Sequence, residues 1–101
     1  MLKIMLACNA GMSTSMVVAK MMEAAESQGK NYKIWAVEQG EIENELGNFD
    51  VLLLGPQVRH ILRRVEKIVG DRAKVAMIES AAYGRCDGGA VLKQAEALMG
   101  G

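Results

Sequence analysis

Leu2-Lys3-Ile4-Met5-Leu6-Ala7-Cys8-Asn9-Ala10-Gly11-Met12-Ser13-Thr14-Ser15 is the stretch whose reading decides the fold. Residues 2–7 carry a single charge among apolar side chains, the composition of a short strand buried on both faces of a parallel sheet. From Met16 the spacing changes. Val17, Val18, Met21, Met22 and Ala25 recur at intervals of three and four, the period of a helix. Cys8 therefore stands where a strand passes, through a turn of small and hydroxyl residues, into a helix.

That position has chemical consequences. The first backbone N–H groups of a helix lack partners within it, and with the positive end of the helix dipole they form an anion site. Ala10 and Gly11 let the backbone close round a tetrahedral anion, and Ser13, Thr14 and Ser15 supply hydroxyl donors and the helix N-cap. The same field favours a thiolate over a thiol. Cys8 is thus read as an exposed nucleophile toward a phosphoryl group, with Asn9, Ala10, Gly11, Met12, Ser13, Thr14 and Ser15 as the loop that holds the phosphate. The competing reading is a small core hydrophobe, the commonest role of a lone cysteine after a buried strand. Three successive hydroxyl residues ahead of a helix weigh against it.

Outward from this stretch the chain alternates strand and helix. Gly29 caps the first helix, and Tyr32 to Val37 reads as a second strand. Glu38 to Gly47, acidic with Ile42 and Leu46 at helical spacing, is expected to form one short helix. Asp50 to Leu54 is a buried strand that stops at Gly55-Pro56, where the proline suits the first turn of a helix. In that helix Val58, Ile61, Leu62, Val65, Ile68 and Val69 mark one face, and Gly70 ends it. Ala73 to Ile78 is a fourth strand, Ser80 to Gly84 a helical turn or loop, and Asp87 the cap of a final helix through Met99. Such alternation implies right-handed crossovers and a parallel sheet with helices on both faces, an α/β three-layer sandwich of strand order 2-1-3-4. Its switch point lies between the first and third strands, where ligands bind beyond the strands' carboxyl ends. Cys8 is expected there, beside Gly55-Pro56-Gln57.

The 101 residues suit one domain, and 12 basic against 12 acidic residues leave a formal net charge of zero, with no footprint for nucleic acid. The apolar runs are too short to span a bilayer, and Met1 leads into a strand rather than a signal segment, so the expected location is the cytoplasm. Cys8, Cys86 and the single His60 match no metal spacing. Arg59, His60, Arg63, Arg64 and Lys67 form a basic cluster, read either as a solvated helix face or as a docking patch for an acidic partner. Met12 is expected exposed at the loop tip. Tyr83 follows the last strand and either covers the sheet end or leans over the loop, and an oxidative disulfide between Cys8 and Cys86 is conceivable at the same edge.

Cys8 to Ser15, Leu53-Leu54-Gly55-Pro56-Gln57 and Tyr83-Gly84-Arg85-Cys86-Asp87-Gly88 together resemble the IIB component of the bacterial phosphoenolpyruvate-dependent sugar phosphotransferase system, lactose/cellobiose family. The resemblance runs in order along the whole chain and is nearer the cellobiose and chitobiose branch. It implies a relay in which a phosphohistidine of a IIA protein passes its phosphoryl group to Cys8. The phosphocysteine then passes it to a β-linked disaccharide translocated by the membrane component IIC. It implies no metal or organic cofactor, and contact with the membrane only through IIC.

The loop is also similar to that of low-molecular-weight tyrosine phosphatases, which carry an arginine six residues after the cysteine; here that position is Thr14. Without a guanidinium on the equatorial oxygens, attack by water should be slow, as suits a carrier. The alternative is a small cysteine-dependent phosphatase or arsenate-reductase-like enzyme. A response-receiver module would need an aspartate ending the third strand, where this chain has Leu54-Gly55.

Overall fold

A computed structural model describes residues 1–8 and 12–100, and the side chains of these apart from residues 12 and 13. Its four strands are β1 (Lys3–Cys8), β2 (Lys33–Glu38), β3 (Val51–Leu54) and β4 (Lys74–Met77), all parallel, in the order β2-β1-β3-β4. The α-helices are α1 (Met12–Ser27), α2 (Leu62–Val69), α3 (Ser80–Gly84) and α4 (Gly88–Leu98). The expected topology is the observed one.

Central position explains the apolar strands. Ile4, Met5, Leu6 and Ala7 of β1 and all of β3 are fully buried because each strand has a neighbour on either side and a layer on either face. Alternation divides them. Ile4, Leu6, Val51 and Leu53 pack with Val17, Met21 and Ala25 of α1 and Val91, Leu92 and Ala95 of α4. Met5, Ala7, Leu52 and Leu54 pack on the other face with Ile42, Phe49, Val58, Ile61, Val65 and Val69. Removing one such large side chain from water contributes about 1.5–3 kcal/mol.

Several local expectations are corrected. Helix α1 begins at Met12, so Thr14 and Ser15 lie inside its first turn rather than ahead of it. Glu38 to Gly47 is not one helix but two 3-10 turns, Gln39–Glu41 and Glu43–Glu45. Glycines at 40 and 47, Asn44 and adjacent like charges are poor helix formers, and Ile42 alone is fully buried there. The segment from Pro56 starts as a 3-10 stretch, Pro56–Ile61, with Val58 outside helical geometry (φ −117°, ψ 21°), before α2 takes over. The fourth strand is shorter than expected by a residue at each end.

Side-chain ties fix the frame. Asp50 Oδ2 accepts from the Lys3 amide at 3.0 Å while the Asp50 amide donates to the Lys3 carbonyl, joining β1 to the start of β3. Gln94 of α4 donates to the Met77 carbonyl and accepts from the Glu79 amide at the end of β4. Asp87 caps α4, as expected, by accepting from the Ala90 amide at 3.1 Å. On the outer strand β2, the exposed Lys33 ammonium lies 4.7 Å from the centre of the Trp35 ring.

Glu96 of α4 forms an ion pair with Lys30 and accepts from the Tyr32 hydroxyl at 2.6 Å, fastening α4 to the approach to β2. The Lys30 bond, then the Tyr32 bond, lowers the Glu96 pKa, and the bond to Glu96 raises those of Lys30 and Tyr32. A lowered carboxylate adds stability above its unfolded pKa and loses it as pH falls through the folded one. The raised lysine and phenol add stability below their ordinary values and lose it as pH rises through the folded ones. Thermal melts of Glu96→Gln against wild type should therefore differ by a few degrees near neutrality. The gap should close as pH falls through the lowered Glu96 pKa and again as pH rises through the raised pKa values of Lys30 and Tyr32. A gap independent of pH would refute this assignment.

Candidate active site at the sheet's carboxyl edge

Cys8 is the last residue of β1 and pairs in register with Glu38, the last residue of β2. On its other side β3 ends at Leu54, and the next amide, Gly55, donates to the Ala7 carbonyl at 2.9 Å. The sequence order reverses between β1 and β3, so the cysteine sits at the switch point, as expected. Asn9, Ala10 and Gly11 lie outside the described residues, as do the side chains of Met12 and Ser13; their expected roles rest on sequence. The 16-residue helix α1 follows directly, with its amino end on the Cys8 side.

The expectation of an exposed Cys8 is overturned: the residue is only 2% exposed. It ends the second strand of four and is hemmed in by both neighbours, and Gly55 is part of the reason. A Cβ added at Gly55 would stand 3.5 Å from Cys8 Cβ, 3.5 Å from the Ala7 carbonyl oxygen and 3.0 Å from Gln57 Oε1. The missing side chain at Gly55 leaves that space to the Gln57 amide oxygen.

The secondary residues are brought together. Tyr83, at the end of α3, has its hydroxyl 3.2 Å from Thr14 Oγ1 and 3.2 Å from Gln57 Nε2. Tyr83 thus leans over the end of the sheet toward the loop while its ring packs on the α1/α4 core. Thr14 is wholly buried, the one buried polar residue among those described. Burial of its hydroxyl is tolerated because Tyr83 bonds it. Sequence reading placed Thr14 in the loop but missed this partnership. Ser15 is exposed.

Cys86, half-buried, has a φ of +52°, the only described non-glycine residue in the left-handed region, and no disulfide joins it to Cys8. Arg59, His60, Arg63, Arg64 and Lys67 are all exposed, and none is in an ion pair among the described residues. Among the described residues no cluster of three histidine, cysteine or acidic side chains could hold a metal. A recess of about 480 Å³ lined by Asp50, Glu66, Asp71, Arg72, Lys74 and Met99 opens at the amino end of β3 and β4, away from Cys8.

A four-stranded parallel sheet of order β2-β1-β3-β4 with a cysteine at its switch point, ahead of a 16-residue helix, defines a doubly wound α/β protein with its candidate site at the carboxyl edge of the sheet. Residues 3–94 match the family model described as the lactose/cellobiose-specific IIB subunit of the phosphotransferase system. The chain belongs to that family, whose members are phosphotransferase components of sugar uptake. It is 40% identical over 100 residues to the oligo-beta-mannoside-specific EIIB component of Bacillus subtilis (strain 168), covering 98% of this chain and 97% of that protein. It is 43% identical over 106 residues to the cellobiose-specific EIIB component of Lactococcus lactis subsp. lactis (strain IL1403), covering 95% and 94%.

Among solved structures, the cellobiose-specific IIB component of Borrelia burgdorferi superposes with a TM-score of 0.79 at 35% identity, covering 96% of this chain and 90% of the other. The lactose-specific IIB domain of Streptococcus pneumoniae gives 0.81 at 17% identity, covering 95% of each chain, and bears on the fold alone.

Proposed function

We propose that Cys8 is the phosphoryl carrier of this IIB protein. The thiolate attacks the phosphorus of a phosphohistidine on a IIA protein; the S–P bond forms, the N–P bond breaks, and its electron pair returns to the imidazole. A sugar hydroxyl presented by the membrane component IIC then attacks the same phosphorus. The O–P bond forms, the S–P bond breaks, and the thiolate is regenerated as the hydroxyl proton passes to a base on the acceptor side. The position of Cys8 at the switch point, ahead of α1, carries this reading. The first-turn amides of α1, with the hydroxyls of Ser13 and Ser15, would stabilise the charge on the equatorial oxygens. Because Cys8 is buried at rest, transfer requires that donor docking uncover the sulfur.

The acceptor we favour is a β-linked disaccharide, in keeping with the oligo-beta-mannoside and cellobiose named for two relatives. The protein would work on the cytoplasmic side, meeting the membrane through IIC. No helix among the described residues is long and apolar enough to cross a bilayer. The test is to incubate the protein with phosphoenolpyruvate, the general phosphotransferase proteins and a IIA protein. Mass spectrometry should find one phosphate, on Cys8; a phosphate elsewhere, or none, would overturn the reading.

The basic face of Pro56–Ile61 and α2 starts at Arg59, four residues after Gly55, and is the surface we assign to an acidic rim on the donor. Reversing charge at Arg59→Glu and Arg63→Glu should slow phosphoryl exchange with IIA about tenfold at low salt and flatten its salt dependence. Stopped-flow or quench rates equal to wild type at every ionic strength would exclude the patch.

A further inference from the structure

The segment that carries the proposed chemistry is anchored at both ends by one run of contacts. At one end Cys8 lies against Gly55, over which the Gln57 amide folds. At the other end is Thr14, buried in the first turn of α1. Between them stands Tyr83. Gln57 Nε2 donates to the phenol oxygen at 3.2 Å, and that oxygen is also hydrogen-bonded to Thr14 Oγ1 at 3.2 Å, a bond in which either hydroxyl can be the donor. Three separate elements, the turn after β3, the end of α3 and the first turn of α1, thus meet at a single oxygen atom.

We propose that Tyr83 is a positioning residue for phosphoryl transfer at Cys8, an inference that rests on the carrier reading above. Through this run of bonds it holds the first turn of α1 in register with the end of β1. Tyr83 touches neither the sulfur nor the phosphoryl group. Its contribution is to keep the donors round the phosphoryl group in place, where small displacements cost large factors in rate. The bond also gives a residue 69 positions away in sequence control over the turn in which Thr14 lies.

The test is Tyr83→Phe, which removes one oxygen and leaves the ring. In single-turnover transfer from phosphorylated IIA, the maximal rate should fall about tenfold while the IIA concentration for half-maximal rate stays unchanged. The phosphorus-31 resonance of the phosphocysteine should shift. Thr14→Val should match Tyr83→Phe, the two together should lose no more than either alone, and Thr14→Ser should retain the rate. A Tyr83→Phe protein with wild-type maximal rate and resonance overturns the proposal. So does one whose only change is a lower melting temperature, or a double variant whose losses add. If wild-type protein takes no phosphate on Cys8, the carrier reading falls as well. If wild type is phosphorylated and Tyr83→Phe is indistinguishable from it, only the positioning role falls.

Discussion

Cys8→Ser should lose phosphoryl transfer almost completely, with the rate of labelling from phosphorylated IIA falling below about one ten-thousandth of wild type. A serine hydroxyl at neutral pH is far less ionised than a thiol and is the weaker nucleophile in the same place. The substitution places a polar oxygen where a residue is 2% exposed, so a loss of about 1–3 kcal/mol in stability could accompany it. Cys8→Ala separates the two effects, since it removes the nucleophile without adding a buried hydroxyl. Both variants should melt cooperatively, and both should show an unmodified mass after incubation with the complete donor system. Transfer at more than a tenth of the wild-type rate in either variant would mean that another atom carries the phosphoryl group.

Gly88→Ala should be the most damaging glycine-to-alanine change among the described residues. A Cβ there would lie 2.2 Å from the Lys20 carbonyl carbon, 2.4 Å from the Met21 amide nitrogen and 2.5 Å from Lys20 Cβ. The obstacle is mostly backbone, which no rotamer change can clear, so α4 must draw away from α1 at its amino end. That displacement strains the contacts of Met21, Val91 and Leu92, all fully buried in one core. Overpacking of this kind costs about 3 kcal/mol or more, and for a domain of this size the melting temperature should fall by about 10 °C or more. Calorimetry checks it directly. A melt within two or three degrees of wild type would show that the two helices separate at little cost. Gly89, one position on, meets only its neighbour's carboxylate at 3.7 Å and is the control.

What was legible in the sequence was whatever the chain states locally. The apolar run at Val51 to Leu54 can be little other than a buried strand, and Gly55-Pro56 marks its end. Cys8 at the carboxyl edge followed from strand order alone. The start of α1 was not legible, because Met12 to Ser15 lacks the apolar spacing of the later turns and helix boundaries carry little propensity signal. Burial of Cys8 was misread for a related reason: an end-of-strand residue in a central position is covered by neighbours distant in sequence. The bond between Thr14 and Tyr83 and the pairing of Lys30 with Glu96 span 69 and 66 residues, and no local pattern announces such partners. The acidic stretch after β2 failed in the opposite sense. Ile42 and Leu46 stand at helical spacing, but one fully buried side chain does not fix a helix against glycine and like-charge repulsion.

The two outermost strands each leave a row of amides and carbonyls open to any passing chain. On β2 that row begins at Lys33, whose ammonium rests on Trp35, and ends at Glu38; β4 is only four residues long and opens with an exposed lysine. A further strand added at either rim would have to strip water from those charges. The charges at both rims thus oppose the sheet's extension by a strand from another chain.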